Sequence, residues 1–261
     1  MEIAHLQLLS LLDYPGRVSA VVWTVGCNLR CPFCYNGELV LPELGADLPQ
    51  LSPRGVLGRL RERAGFLDGV VVTGGEPTLH PDLPTFLREV KRLGFLVKLD
   101  TNGTRPAVVR SLAEDRLVDY VAVDVKAPFS RYPEFTGISG DREVADLSAG
   151  QASKRPRYGS RFTGPVPDVR QAVRETITLV RNCGAEYEFR TTVAPGLARE
   201  DLIAIAHEIR GSQRYVLQPL FVPPGKRLVD EALRTRPSLS REELQELAAE
   251  ISRLGPCSVR G

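Results

Sequence analysis

Apolar, β-branched runs alternate along this chain with segments in which apolar side chains recur every three or four positions. The runs predict six buried strands, at residues 19–25, 69–73, 95–99, 120–125, 187–193 and 215–217. The periodic segments predict helices at residues 52–63, 82–93, 106–114, 168–182, 199–210 and 240–254. Alternating strands and helices are typical of a parallel sheet, and six units are fewer than the eight of a complete barrel. We therefore expect an α/β fold, a partial and open (β/α)6 TIM-like barrel.

Local signals mark several helix ends. Ser52 followed by Pro53 is a typical helix start, with serine as the N-cap and proline at the first helical position. Gly94 has the place of a C-terminal glycine. Ser240 with Glu243 three residues later forms the capping-box pattern, which predicts the start of the last helix.

One stretch, residues 138–167, breaks this rhythm and has no periodic pattern. Within residues 150–167 there are no acidic residues and four basic ones, Lys154, Arg155, Arg157 and Arg161. Loops of this length are usually disordered or functional. We expect a flexible basic insertion in a single domain that spans residues 1–261. The alternative is an arm that docks an acidic partner or nucleic acid, although only Tyr158 and Phe162 are available there to stack on bases.

The composition is that of an ordinary globular protein. Of 261 residues 43% are hydrophobic, and 34 basic against 32 acidic residues leave a formal net charge of +2. That balance offers no general attraction for nucleic acid or an anionic membrane. No run of about 18 apolar residues occurs, as a membrane-spanning helix requires, and the first residues lack the features of a signal peptide. We expect a cytoplasmic protein with no membrane partner, and no nucleic-acid partner.

The cysteines give the first chemical signal. Three of the five, Cys27, Cys31 and Cys34, form a C-x3-C-x2-C loop after the first predicted strand. An odd, clustered set is not a disulfide framework, and a structural zinc site needs a fourth ligand that is missing nearby. A cubane iron–sulfur cluster has four irons, so three cysteines would leave one iron open. Buried thiols or a cryptic zinc site are the plainer alternatives, and Cys183 and Cys257 are expected to be structural.

Polar motifs follow the next three predicted strands. Residues 74–77 read Gly-Gly-Glu-Pro, residues 100–103 read Asp-Thr-Asn-Gly, and Asp124 and Lys126 end the fourth strand. Because the carboxyl ends of parallel strands meet at one edge of the sheet, we expect these motifs to converge beside the cysteine loop.

The cysteine loop, with an aromatic residue before its last cysteine, and the Gly-Gly-Glu-Pro motif together resemble the radical S-adenosylmethionine (SAM) superfamily. Further motifs resemble the glycyl-radical-enzyme activases, and most closely the activating proteins of anaerobic ribonucleoside-triphosphate reductase. These are Leu9-Ser10, Asp13-Tyr14-Pro15-Gly16, Gly26-Cys27-Asn28, Tyr35-Asn36, Asp100-Thr101-Asn102-Gly103 and Asp124-x-Lys126. The resemblance covers residues 9–219 apart from the insertion, and the last 40 or so residues carry no motif of the family.

The resemblance implies an enzyme with two cofactors. Cys27, Cys31 and Cys34 would hold three irons of a [4Fe–4S] cluster, and SAM would chelate the fourth. Reductive cleavage of SAM would give a 5′-deoxyadenosyl radical, which in the activases takes a hydrogen atom from a glycine of a glycyl radical enzyme. The implied partners are that enzyme, here an anaerobic ribonucleoside-triphosphate reductase, and a flavodoxin or ferredoxin as electron donor.

The resemblance also implies a set of cofactor-binding residues. They are Phe33, Gly74, Gly75, Glu76, Asp100, Thr101, Asn102, Asp124, Lys126, Arg190 and Gln218. Phe33 would pack beside the cluster and near the adenine, and otherwise is a core aromatic. Glu76 and the two glycines would take the ammonium end of SAM. Lys126 would pair with the SAM carboxylate, and otherwise is a surface lysine.

The remaining members of that set have two interpretations each. Asp100, Thr101 and Asp124 would contact the ribose or hold a monovalent cation, since oxygen ligands suit such an ion; otherwise they are turn residues. Arg190 would reach the SAM carboxylate or ribose, or form an ion pair at the rim. Gln218 would touch adenine or methionine.

Two other functions remain open on the sequence alone. The first is a radical SAM enzyme that acts on a small molecule such as a deazapurine, and the second is a non-catalytic protein that binds zinc or a cluster. Residues 13–16 favour the activase, if they line the mouth that admits a partner's glycine loop rather than form an ordinary turn. The motifs behind successive strands argue against the non-catalytic protein.

Overall fold

A computed structural model describes residues 1–45, 47–138 and 168–260 of the chain. In these residues eight strands form one sheet. They are β1 (Ile3–Ser10), β2 (Ser19–Thr24), β3 (Gly69–Gly74), β4 (Leu96–Thr101), β5 (Tyr120–Asp124), β6 (Glu186–Val193), β7 (Tyr215–Pro219) and β8 (Cys257–Val259). The α-helices are α1 (Gly37–Val40), α2 (Pro53–Arg61), α3 (Leu83–Arg92), α4 (Pro106–Glu114), α5 (Tyr132–Thr136), α6 (Val169–Asn182), α7 (Arg199–Glu208) and α8 (Arg241–Ile251). Short 3-10 helices cover Pro77–Leu79 and Glu231–Thr235.

The strands lie in the sheet in chain order, from β1 at one edge to β8 at the other. β1 runs antiparallel to β2, and every later pair is parallel. The six predicted strands correspond to β2 through β7, so the expected α/β fold with an open parallel barrel is confirmed. The edge strands β1 and β8 extend it, and the short α1 and α5 also lie outside the predicted elements.

The outer face of the sheet carries the main hydrophobic core. Val70 and Val72 of β3 point outward into the core that the helices cover, whereas Val71 between them points to the inner face. Strands that are buried on both faces read as continuous apolar runs, which explains the Val-Val-Val sequence of β3. The helices begin as their caps predict. Ser52 accepts a hydrogen bond from the Gly55 amide, and Ser240 and Glu243 form a reciprocal capping box.

The inner face of the barrel changes character along its length. Near the start of the strands Tyr14 packs with Val21, Val71 and Ala122, and its ring lies so close to Gly69 that a Cβ there would be 3.0 Å away. On β4 and β6 the buried inner residues are charged, and include Lys98, Asp100, Glu188 and Arg190. Lys98 lies level with Tyr120 of the apolar group, whereas Arg190 lies level with Asp124 at the carboxyl end of β5. The charged residues therefore lead from the interior of the barrel to the predicted site.

The predicted insertion falls almost entirely outside the described residues. Of residues 138–167, only Ile138 is described, and it is half-buried against the main core. In the described ranges no helix combines the length and the apolar character that crossing a bilayer demands.

Candidate functional site

The cysteine loop leaves the carboxyl end of β2 and is fixed by main-chain hydrogen bonds to distant segments. The Gly26 amide donates to the Leu39 carbonyl at 2.7 Å, and the Arg30 amide to the Thr136 carbonyl at 2.8 Å. From the other end of the chain, the amides of Val229 and Asp230 donate to the carbonyls of Cys34 and Pro32, at 3.0 and 2.9 Å. We call residues 228–230 the strap. The strap belongs to the part of the chain in which the sequence shows no motif.

All three loop cysteines are free thiols, and Cys31 is buried. Burial, and then the charge of Glu76, raise the pKa of Cys27 to about 11, and burial raises the pKa of Cys31 to about 12. Burial also raises the pKa of Cys34. The thiols are therefore protonated near neutral pH in the absence of a cation, and binding a metal cluster has to release their protons.

The surroundings of the loop fit a thiolate-bound cluster. The Lys126 ammonium lies 5.9 Å from the centre of the Phe33 ring, and its charge lowers the pKa of all three cysteines against the effect of burial. The Asn102 side-chain amide is 3.7 Å from the Cys27 sulfur. Thiolates are the usual ligands of iron–sulfur clusters, and hydrogen bonds to sulfur tune such sites.

A single metal ion is a different case. Within residues 1–45, 47–138 and 168–260, no three histidine, cysteine or acidic side chains are grouped closely enough to hold one ion. Three free thiols on one loop are donors of the kind that iron–sulfur clusters use. The donor chemistry of the loop therefore fits the predicted cluster.

The glycine motif lets β3 approach the cysteine loop. The Gly75 amide donates to the Thr24 carbonyl at 2.9 Å, and the Glu76 amide to the Gly26 carbonyl at 2.7 Å. Gly74 has a φ of +116°, and a Cβ on Gly75 would lie 2.0 Å from the Gly26 carbonyl oxygen. Only glycine fits at either position. The motif and the cysteine loop thus form one backbone unit.

Glu76 is fully buried and bonded to the protein itself. Its Oε1 accepts from the Thr78 amide and hydroxyl and from the Thr101 hydroxyl, and its Oε2 accepts from the Asn102 amide at 2.7 Å. Burial outweighs these hydrogen bonds and raises the pKa of the carboxyl. Glu76 therefore ties the loop after β3 to the loop after β4, and its contact with the SAM ammonium stays a prediction.

An amide network links the loop after β4 to the cysteine loop. The Asn102 side-chain amide donates to the Asn28 side-chain oxygen at 3.0 Å, and the Asn28 side-chain amide donates to the Thr104 hydroxyl at 2.8 Å. The Thr104 hydroxyl in turn donates to the Asn102 oxygen at 2.7 Å. Asn28 and Thr104 lie outside the predicted site. Asn28 belongs to the Gly26-Cys27-Asn28 motif, and Thr104 directly follows the Asp-Thr-Asn-Gly motif, which is its only sequence signal.

Five charged side chains alternate in sign across the inner face, and we call them the charge chain. Lys98 donates to one Asp100 oxygen, and the Arg190 Nη1 donates to the other at 2.9 Å. The Arg190 Nε donates to Asp124 at 2.9 Å, and the second Asp124 oxygen is 3.4 Å from the Lys126 Nζ. The predicted residues Asp100, Asp124, Lys126 and Arg190 are therefore brought together, and Arg190 forms a buried ion pair rather than one at the rim.

Ion pairing controls the protonation of this chain. Burial opposes the charge of Asp100, but Arg190 and Lys98 outweigh it and lower its pKa to about 2. Burial likewise opposes the charge of Lys126, yet Asp124 and Cys31 raise its pKa. Burial lowers the pKa of Lys98, and the charge of Asp100 opposes that effect. With these ion pairs formed, the chain carries three positive and two negative charges.

Asp100→Asn tests the pairing of this carboxylate. A pKa of about 2 in the folded protein against 3.8 unfolded contributes about 2 kcal/mol to the free energy of unfolding, because each pKa unit is worth about 1.4 kcal/mol. That contribution is complete above pH 4 and is lost as the pH falls towards 2. We expect the free energy of unfolding in urea to be higher for the unsubstituted protein than for the variant, and this difference to shrink as the pH falls from 6 to 3. Asp115→Asn, which removes an exposed carboxylate, serves as the control, and a difference that stays constant with pH would contradict the assignment.

The remaining predicted residues occupy less polar surroundings. Phe33 is buried, with its ring centre 6.5 Å from that of Phe135, and Gln218 is half-buried at the end of β7 opposite Thr192. Of residues 13–16, Tyr14 packs in the apolar end of the barrel, so this residue is not at a mouth. Asp13 accepts a hydrogen bond from the Ser10 hydroxyl at 2.5 Å, in the turn that follows β1.

Known proteins are similar to this chain over most of its length. The family described as the radical SAM superfamily matches residues 21–209. A protein of Methanocaldococcus jannaschii, provisionally named a glycyl-radical enzyme activating enzyme, is 32% identical over 249 residues, which are 92% of this chain and 87% of that protein.

Two further similarities are partial. The 7-carboxy-7-deazaguanine synthase of Neisseria meningitidis serogroup B is 32% identical over 124 residues, 48% of this chain and 51% of that enzyme. The crystal structure of Streptococcus suis SuiB bound to S-adenosylmethionine has a TM-score of 0.59 at 13% identity, and the match covers 92% of this chain and 52% of SuiB. The chain thus spans about half the length of both proteins, and the likeness to SuiB shows the shared fold.

Proposed function

The chain belongs to the radical SAM superfamily, and from this premise we propose that it is an activating enzyme for a glycyl radical enzyme, an anaerobic ribonucleoside-triphosphate reductase. One observation carries the proposal. The similarity to the M. jannaschii activating enzyme extends over 92% of this chain, whereas the similarity to the deazaguanine synthase stops at 48%. A match over nearly the whole length supports a shared activity more strongly than a match over half of it.

Family membership implies a [4Fe–4S] cluster and SAM as cofactors. Cys27, Cys31 and Cys34 would hold the cluster, because they are free thiols on one loop beside a lysine that offsets their negative charge. When bound and reduced, the two cofactors supply a 5′-deoxyadenosyl radical that abstracts hydrogen. The side chains of this protein bind, orient and shield the cofactors.

The charge chain supports a role in holding an anionic group. Lys126 lies between the Phe33 ring and Asp124, next to the cysteine loop, and Arg190 is clamped between two carboxylates so that its direction is fixed. We infer that these two cations orient the carboxylate of SAM. Asp100, Thr101 and Asp124 would then face the ribose or a monovalent cation, with Gln218 beside the adenine or methionine. Phe33, whose ring centre is 6.5 Å from that of Phe135, would pack beside the cluster and near the adenine.

The partners follow from the reaction. The substrate would be the glycine loop of the reductase, and the electron donor a flavodoxin or ferredoxin that reaches the cysteine loop from outside. We propose a cytoplasmic location, where such reduced carriers are available.

The test is formation of a glycyl radical on the partner. Reconstituted enzyme, SAM, dithionite and a cognate reductase, mixed without oxygen, are expected to give the organic doublet of a glycyl radical in electron paramagnetic resonance. A reductase with the radical glycine changed to alanine is the matched control, which should give no doublet while 5′-deoxyadenosine still forms. Repeated absence of the doublet, in a preparation that does cleave SAM, would contradict the activase.

A second function rests on the similarity to the deazaguanine synthase. It predicts that this chain restores 7-carboxy-7-deazaguanine in a strain that lacks its synthase, measured by mass spectrometry. The non-catalytic alternative predicts colourless protein with about one zinc ion and no cleavage of SAM. Metal analysis and the two product assays on one preparation therefore separate all three functions.

A further inference from the structure

Lys98 is the one member of the charge chain that lies deep inside the barrel. Its side chain, on the inner face of β4, has no exposed surface, and the Nζ is 5.7 Å from the centre of the Tyr120 ring. It donates to Asp100. By strand register it lies one layer further from the carboxyl ends of the strands than Asp100, and two layers further than Arg190. Burying an ammonium group is expensive unless the charge is paired. A lysine in this place therefore needs an explanation beyond packing.

The explanation lies in the charge balance. Without Lys98, the chain would consist of Asp100, Arg190, Asp124 and Lys126, two carboxylates against two cations. With Lys98 it carries one surplus positive charge. Glu188, which is buried on the same face, does not change this count, because its carboxylate is paired with Arg260 at 2.8 Å. Because Lys98 shares the Asp100 carboxylate, Arg190 has less negative charge to neutralise on that side. The surplus positive charge is therefore available at the carboxyl ends of the strands, where Arg190 and Lys126 lie beside the cysteine loop.

We propose that Lys98 is a positioning residue that makes the site prefer an anionic ligand group. It does so by neutralising part of the Asp100 charge, so that Asp100 does not fully neutralise Arg190. The inference rests on the proposed function, since the anion in question is the carboxylate of SAM. Lys98 itself touches no ligand and acts through Asp100 and Arg190. A purely structural lysine would instead serve only to neutralise a buried aspartate.

The experiment compares SAM with decarboxylated SAM, which keeps the sulfonium and adenosine and lacks the carboxylate. Equilibrium dialysis against anaerobically reconstituted protein gives the ratio of the two dissociation constants, and loss of iron chelation enters that ratio equally for every variant. Lys98→Met is expected to reduce the preference for SAM by about three- to tenfold, as removal of one partly screened charge implies. The affinity for decarboxylated SAM should change little.

Three further variants separate charge from shape. Lys98→Met combined with Asp100→Asn restores one surplus positive charge and is expected to restore the ratio, even if contacts common to both ligands weaken. Lys98→Arg keeps the charge and should keep the ratio. Lys91→Met removes a matched lysine that is not part of the charge chain, whose Nζ lies 2.7 Å from Asp119, and should leave the ratio unchanged. The double variant and Lys98→Arg also serve if Lys98→Met does not fold.

The outcomes are distinguishable. A ratio that stays the same in Lys98→Met, or that falls equally in Lys98→Arg, overturns the role of Lys98 while native protein still binds SAM. A ratio that stays low in the double variant also overturns it. If native protein with a complete cluster binds neither ligand, the proposed function fails, and the inference fails with it.

Discussion

Replacing Cys31 with alanine is expected to abolish formation of 5′-deoxyadenosine from SAM. Cys31 is the most deeply buried of the three loop thiols, and its backbone carbonyl accepts from the Cys34 amide at 3.0 Å in the turn that carries the third cysteine. Loss of a direct ligand should cost more than the ~100-fold that second-shell changes reach. Chromatographic measurement of 5′-deoxyadenosine, together with iron and sulfide analysis, checks the expectation.

Cys183→Ala is the control for this experiment. Cys183 follows α6, where its thiol contacts the Val180 carbonyl, and it has no part in the cysteine loop. It should keep full iron content and full activity. If Cys31→Ala still cleaved SAM at a comparable rate, the cysteine loop would not be the cluster site. If both variants lost iron equally, the loss would reflect general instability.

Replacing Gly75 with alanine is expected to be nearly as damaging. The new methyl group would lie 2.0 Å from the Gly26 carbonyl oxygen, so the glycine motif and the cysteine loop would have to separate. Such overpacking lowers the free energy of unfolding by about 1–3 kcal/mol. Separation also breaks the hydrogen bond from the Glu76 amide to Gly26, so SAM cleavage should fall by more than about a hundredfold, as for a displacement of order 1 Å.

Gly58→Ala is the matched control. Gly58 lies inside α2, and a Cβ there meets nothing within 4 Å. Alanine favours a helix over glycine by about 0.5–1 kcal/mol, so this variant should unfold at higher urea concentration and keep its activity. Normal stability together with normal SAM cleavage in Gly75→Ala would show that the two loops do not need to touch.

The sequence predicts the parallel part of the fold well because each strand is buried on both faces. Because helical patterns flank it, Gly-Val-Val-Val-Thr in β3 is predicted as a buried strand. The edge strand β1 escapes prediction because its leucines fall on both faces. Leu6 is buried, whereas Leu9 is 49% exposed, and two register shifts interrupt its pairing with β2. The three residues of β8 are too few to show a period.

The candidate site was also only partly predictable from the sequence. Motifs at strand ends predict which residues meet, since topology alone brings Asp100, Asp124 and Arg190 to one edge. The hydrogen-bond and ion-pair partners of these side chains cannot be predicted from the spacing of the motifs. Glu76 bonds to Thr78, Thr101 and Asn102 inside the protein, and nothing in the sequence marks Lys98 as a buried ion-pair partner, because a lysine in a strand is usually exposed.

The strap has a consequence for how the protein is made. The cysteine loop at residues 27–34 is completed by segments near residues 76, 102 and 136, and last of all by the amides of Val229 and Asp230. A nascent chain on the ribosome therefore exposes its three cysteines long before the strap exists. Until residues 228–230 have been synthesised, the loop lacks these two main-chain hydrogen bonds, and its thiols are less shielded from oxidants and stray metal ions.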